Sequence, residues 1–350
     1  MPIRSRWILA LVLLVAFTAF PATAHSTLVF SRNPLNPSVF SAADDGSGAR
    51  KLAAGSNPRI SPSGAIVAFF HQGKGRSAQP ELMLAPADGS APVSRLATGW
   101  REISTFDWSP DSASIAAVLG SELGPKRLVL IDVVTGAQQT IARGFFSGVS
   151  FAPEGGQLAY GRAASEAFPP RTDVYRYDIP IGQPLRAAEP VLLTRDHRSL
   201  SPLWGPAGKI VFVKQLGAKQ RRYGPKNELY LMNPAGKQAR RLTQTKVGPL
   251  LLGLSPTQWS SNGRRLLAQF GGQDTSYAVT VNPRTGAQRP LIEATEQGFA
   301  GAALSADGKL VLGATGGFEP GPGHNVATVP YGGGKPKVLA KNAFEPDWSR

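Results

Sequence analysis

Phe106-Asp107-Trp108-Ser109-Pro110-Asp111, followed by Ile115-Ala116-Ala117-Val118, reads as a short strand, a tight turn and a second apolar strand. Ser, Pro and Asp serve such a turn because Pro pre-sets φ and the polar side chains hydrogen-bond the local backbone. The pattern recurs along the chain. It returns as Ile60-Ser61-Pro62-Ser63-Gly64 before Ile66-Val67-Ala68-Phe69, and as Phe151-Ala152-Pro153-Glu154-Gly155 before Leu158-Ala159-Tyr160. Further copies are Trp204-Gly205-Pro206-Ala207-Gly208, Trp259-Ser260-Ser261-Asn262-Gly263 and Leu304-Ser305-Ala306-Asp307-Gly308, each leading into an apolar run.

A second hairpin follows each first one. Its clearest copy is Leu229-Tyr230-Leu231-Met232-Asn233-Pro234-Ala235-Gly236-Lys237, ending Arg240-Arg241-Leu242-Thr243. Others turn at Asp45-Gly46, Asp88-Gly89, Thr135-Gly136, Thr285-Gly286 and Gly332-Gly333, where glycine supplies the positive φ of a tight hairpin. The bulky residue before the first turn falls at Ile60, Trp108, Phe151, Trp204, Trp259, Leu304 and Trp348, in steps of 48, 43, 53, 55, 45 and 44 residues. Four short strands with their turns fill such a step, which is the period of a propeller blade. The spacing therefore predicts an all-β chain, a seven-bladed β-propeller of four-stranded antiparallel blades occupying residues 25–350 as one domain. Glu345-Pro346-Asp347-Trp348 matches a first strand, and Thr27-Leu28-Val29-Phe30 a second strand. The two ends are expected to pair in one blade, which would leave the ring without a free edge.

The recurring Trp-Ser-Pro-Asp/Gly turn, the Ile-Ala-Phe-like strand and the Leu-Tyr-Leu-Met-Asn…Arg-Arg-Leu-Thr hairpin resemble the TolB-type (WD40-like) propeller repeat, over essentially all of residues 25–350. The resemblance implies the fold and leaves function open, because the repeat occurs in scaffolds, peptidase-associated propellers and glycan-degrading enzymes alike.

Arg4 and Arg6 precede an apolar run from Trp7 to Phe17, and Ala22-Thr23-Ala24 follows Pro21. A basic start, a short apolar stretch and an A-x-A site predict a secretory signal peptide over residues 1–24. The chain is then expected in the periplasm, the cell envelope or the extracellular medium. With Lys+Arg 38 against Asp+Glu 23, it is strongly basic. Outside the cytosol such charge points to an envelope protein or an anionic polymer or glycan as partner, rather than to nucleic acid, with at most loose membrane association. A monomer is expected. The absence of cysteine excludes thiol catalysis, disulfides and thiolate metal sites.

No Gly-x-Ser-x-Gly elbow is present, and the acidic residues of the repeat, Asp111 and Asp307, occupy turn positions. No catalytic set is visible, and the leading expectation is a non-catalytic binding scaffold without cofactor. Strand order puts the short hairpin turns on one face and the longer connections on the other, where binding is expected. The connection Lys214–Asn227 carries Lys214, Lys219, Arg221, Arg222, Tyr223 and Lys226 with no acid until Glu228. These residues are candidates for an anionic ligand, since Lys and Arg pair with carboxylate or phosphate and Tyr adds contact area. His71, His197 and His324 fall on or beside the same face. Resemblance to the oligogalacturonate lyases among TolB-like propellers implies an alternative. In it, these histidines hold one divalent metal at the channel mouth of a glycan lyase or hydrolase.

Overall fold

The computed structural model describes residues 26–73, 79–121, 124–165, 171–180, 188–217, 225–248, 251–272, 275–291, 298–316 and 323–349. The expected signal peptide lies outside them. The described residues form 27 strands and no helix. They open with β1 (Thr27–Arg32), β2 (Ser38–Ala43) and β3 (Arg50–Ala54), then β4 (Ser56–Ile60), β5 (Ile66–Gln72), β6 (Pro80–Pro86) and β7 (Ser94–Ala97). Next come β8 (Glu102–Trp108), β9 (Ser114–Gly120), β10 (Lys126–Asp132), β11 (Gln138–Phe151), β12 (Gln157–Ala163), β13 (Thr172–Asp178) and β14 (Val191–Leu192). These are followed by β15 (Ser199–Gly205), β16 (Lys209–Leu216), β17 (Lys226–Met232) and β18 (Arg240–Arg241). The remainder are β19 (Leu251–Trp259), β20 (Leu266–Gly272), β21 (Ser276–Val281), β22 (Gln288–Pro290), β23 (Phe299–Leu304), β24 (Leu310–Thr315), β25 (Asn325–Pro330), β26 (Lys337–Lys341) and β27 (Ala343–Trp348).

Pairing is antiparallel between sequence neighbours, as the double hairpins require. Three sheets are four-stranded, in the orders β27-β1-β2-β3, β4-β5-β6-β7 and β23-β24-β25-β26. In the first, Leu28 lies opposite Trp348 and Val29 opposite Asp347, so the end of the chain pairs with its beginning. Two larger sheets each contain two such four-strand sets. One is joined because β11 runs unbroken from Gln138 to Phe151 and serves as the last strand of one set and the first of the next. Gly144 and Gly148, at φ 148° and 99°, bend it between those two duties. The other is joined by a single parallel pairing of Asn227 with Gly253.

All seven bulky positions before the first turns are buried, none more than 6% exposed. Each also takes part in a bond to a neighbouring set. Trp108 Nε1 donates to the Arg59 carbonyl (3.2 Å), Phe151 N to Asp107 Oδ2 (2.9 Å) and Trp204 N to Ser150 Oγ (3.1 Å). Trp259 Nε1 donates to the Leu203 carbonyl (3.4 Å), Leu304 N to Gln258 Oε1, Trp348 Nε1 to the Leu304 carbonyl (2.9 Å) and Ile60 N to Asp347 Oδ2 (3.1 Å). The large apolar side chain thus fills the space between sets, while its own polar atom or amide ties the first strands together.

The turn chemistry follows the sequence. Ser109 Oγ donates to Asp111 Oδ1 and accepts from Ser114 N, and Asp111 Oδ1 also accepts from Ala113 N. The Ser109 hydroxyl, then the Ala113 amide, hold the Asp111 carboxyl below the usual range. The second-hairpin glycines Gly46, Gly89, Gly136, Gly236, Gly286 and Gly333 all have positive φ. At Gly286 the close approach is severe as well, since a Cβ would sit 1.8 Å from the Leu242 carbonyl oxygen. Bonds between turns of adjacent sets, Ser63 N to Ser112 Oγ and Ser261 Oγ to the Ala306 carbonyl, gather the hairpin turns on one face. The longer connections occupy the other.

One loop boundary differs from the sequence expectation. The connection expected over Lys214–Asn227 is shorter, because β16 continues to Leu216 and β17 starts at Lys226, with Lys214 opposite Glu228. Ion pairs of Lys214 with Asp196 and of Lys226 with Glu228 hold the two strands at the loop end of this ladder.

Candidate functional site

Of the six candidate residues on the Lys214–Asn227 connection, Lys219, Arg221, Arg222 and Tyr223 lie outside the described residues. Lys214 and Lys226 are placed, and both are already engaged. Lys214 Nζ sits 2.7 Å from Asp196 Oδ2, and Lys226 Nζ 2.6 Å from Glu228 Oε1. Burial raises the Asp196 carboxyl, but hydrogen bonds from Lys214, the Arg198 amide and Ser199 outweigh it and leave the group below the usual range. Glu228 is fully buried and also accepts from Arg241 (3.1 Å), Thr243 Oγ1 (2.6 Å) and the Thr245 amide (2.8 Å). Lys214 and Lys226 therefore anchor the root of the connection rather than standing free for a ligand.

The three histidines are held separately. His71 Nδ1 lies 3.0 Å from the Ala54 carbonyl oxygen. His324 is buried beneath Gly316, where a Cβ would fall 2.4 Å from the imidazole Cδ2. His197 is exposed and has φ 55°, and its ring is oriented by a buried carboxylate. Asp173 Oδ2 lies 2.6 Å from His197 Nδ1, while Asp173 Oδ1 accepts from the His197 amide and from Thr194 Oγ1, both at 3.0 Å. Among the described residues, no group of three or more His, Asp or Glu side chains converges as a metal site requires.

The loop face also holds cations with no carboxylate partner among the described residues. Arg101, Arg127, Arg143, Arg171, Arg195 and Arg198 make no ion pair among the described residues, whereas Lys126 pairs with Glu102. Burial raises the Glu102 carboxyl, but the Lys126 ammonium and the Ser104 hydroxyl more than reverse this and hold it low. Trp100, Arg101, Lys126, Arg127 and Arg143 surround a cleft of ≈ 350 Å³. Arg127 and Arg143 are not among the sequence candidates. They lie beyond the two strands of the hairpin that turns at Thr135-Gly136, and a register shift between Leu128 and Val129 brings them opposite each other.

Comparison with known proteins agrees with this architecture. The β-propeller domain of the trilobed protease from Pyrococcus furiosus, described as having an open velcro topology, is 14% identical with a TM-score of 0.57, over 82% of this chain and 84% of that one. TolB from Acinetobacter baumannii is 18% identical with a TM-score of 0.55, over 82% of this chain and 67% of that one. The fold is a TolB-like β-propeller. An oligogalacturonate lyase in complex with manganese shares this propeller fold as well, at 14% identity and a TM-score of 0.56, over 89% of this chain and 84% of that one. No family model matches the sequence, and no curated protein sequence matches it. In this chain β27 pairs with β1.

Proposed function

We propose that this TolB-like propeller is an exported, seven-bladed, non-catalytic scaffold that binds an anionic cell-envelope polymer through its long-loop face. The pairing of β27 with β1 and the run of bonds from each first strand to the next, returning from Asp347 to Ile60, support a closed ring of seven. Residues 1–24 would be removed on export, and N-terminal sequencing of secreted material should find His25 first. An intact Met1 would contradict that. Among the described residues, no helix is long and apolar enough to cross a membrane.

The observation that carries the binding assignment is a group of six loop-face arginines without carboxylate partners among the described residues. A guanidinium offers a planar fork of N–H donors matched to carboxylate or phosphate, and here that capacity is not spent within the described structure. A polyuronate at low ionic strength is the direct probe. Binding should saturate and weaken by about tenfold or more as salt rises toward physiological strength, because exposed charges are screened within roughly 8–10 Å there. The Arg221→Ala plus Arg222→Ala variant should weaken binding while leaving the melting temperature nearly unchanged, as surface substitutions shift stability by about 0.5 kcal/mol or less. Equal binding to a neutral polysaccharide would overturn the assignment.

A metal-dependent glycan lyase or hydrolase is the second reading, favoured by one observation. The buried Asp173 orients His197 as an outer carboxylate orients a ligating imidazole, leaving Nε2 outward. A stoichiometric divalent ion surviving dialysis, and lost in a variant with His71, His197 and His324 all changed to Ala, would establish it. A metal-free protein, or an ion retained in that variant, would remove it.

A further inference from the structure

The cleft beside Trp100 concentrates cations in a way the fold alone does not need. Arg127 and Arg143 lie directly opposite each other on β10 and β11. Like charges opposite each other on adjacent strands are destabilising, and no described carboxylate offsets this pair. Arg127 is instead held by the Trp100 ring, with its guanidinium carbon 5.4 Å from the ring centroid. Such a contact fixes a guanidinium through the ring's negative face. The edge of the fork keeps its N–H donors for an incoming acceptor.

The rest of the cleft is built with similar economy. Trp100 packs against the buried cluster that includes Phe106, Trp108 and Leu119, so the floor is rigid. Arg101 N donates to the Gly120 carbonyl oxygen (3.0 Å), which fixes the connection carrying Arg101 beside β9. At Gly120 a Cβ would meet Lys126 Cγ at 2.7 Å, so glycine leaves the path by which the Lys126 stem crosses to Glu102 and Ser104. Lys126 is thereby neutralised, and three arginines remain to face the cleft. Its volume of ≈ 350 Å³ falls within the range of about 300–1,000 Å³ typical of small-ligand clefts.

We propose that this cleft binds a sugar ring bearing one oxyanion group, carboxylate or phosphate ester, with Arg101, Arg127 and Arg143 on the anion and Trp100 as the floor. The assignment rests on the reading of the loop face as an anion-binding surface and locates a subsite within it, apart from the Lys214–Asn227 connection.

Calorimetric titration of the whole protein with D-glucuronate, glucose 6-phosphate, D-glucose and inorganic phosphate tests it. Glucuronate or glucose 6-phosphate should saturate one site, with glucose and inorganic phosphate each at least about tenfold weaker. The Arg127→Gln plus Arg143→Gln variant should lose that binding by tenfold or more while melting no lower than wild type, because it removes a repulsive pair. A merely structural role would instead lower the melting temperature. Failure of both sugar anions to saturate, or undiminished binding by the variant, would overturn the subsite. Glucose binding as tightly would overturn the role of charge, and inorganic phosphate binding as tightly the role of the ring. A polyuronate arm separates the two levels. Polymer bound equally by wild type and variant leaves the face and removes this subsite, whereas no polymer binding by wild type removes the face itself.

Discussion

Trp348→Ala should destabilise the propeller by about 3–5 kcal/mol, the usual cost of deleting a large buried aromatic. The indole is 6% exposed and packs with Leu28, Phe30, Ala303 and Leu312. Its Nε1 donates to the Leu304 carbonyl, and the backbone beside it holds β1. The variant therefore empties a core position, strips a buried carbonyl of its donor and loosens the strand that joins the two ends of the chain. Urea denaturation should show a lower midpoint. Trp348→Phe should recover part of the loss, because the ring volume returns while the hydrogen bond does not. A loss below about 1 kcal/mol for Trp348→Ala would mean that β27 is not docked as described.

Glu228→Ala should cost about 3 kcal/mol, the lower end of the range for breaking a buried ion pair. The carboxylate is fully buried and receives Lys226, Arg241, Thr243 and the Thr245 amide. Lys226 and Arg241 are partly exposed and can turn toward water, which moderates the loss. Thr243 and the Thr245 amide have less freedom, and Thr243 Oγ1 also accepts from Leu229 N, so the damage reaches β17. Glu228→Gln should lose less, since an amide keeps one acceptor in place. Denaturant midpoints for both variants check the ranking, and equal stability of Glu228→Ala and wild type would refute it.

The repeat was legible because its grammar is local. Ser-Pro-Asp turns, Asp-Gly and Thr-Gly hairpins and a bulky residue every 43–55 positions each act within a few residues, and the structure places them as expected. The continuous β11 was not legible, because Gly144 and Gly148 look like loop residues unless the strands on both sides are known to use them. The site was less legible still. A run of cations between Lys214 and Lys226 drew attention by density, yet Lys214 and Lys226 are neutralised by acids that come from β17 and from the connection before β15. Arg127 and Arg143 were inconspicuous in sequence, and their proximity arises from ladder register, which brings together residues sixteen positions apart. Counting charges along a chain ignores the counter-charges that the fold supplies.

An anionic polymer held on the long-loop face should leave a footprint in backbone amide exchange. Hydrogen–deuterium exchange of the whole protein with and without polyuronate at low salt tests it most directly. Bound polymer slows exchange where it shields backbone amides or suppresses local opening. Protection is expected at residues 98–104, 121–127, 143–147 and 195–199, fading as salt is raised. The hairpin turns 61–65, 109–113 and 261–265 on the opposite face should be unchanged. Protection confined to those turns, or no protection at saturating polymer, would contradict it.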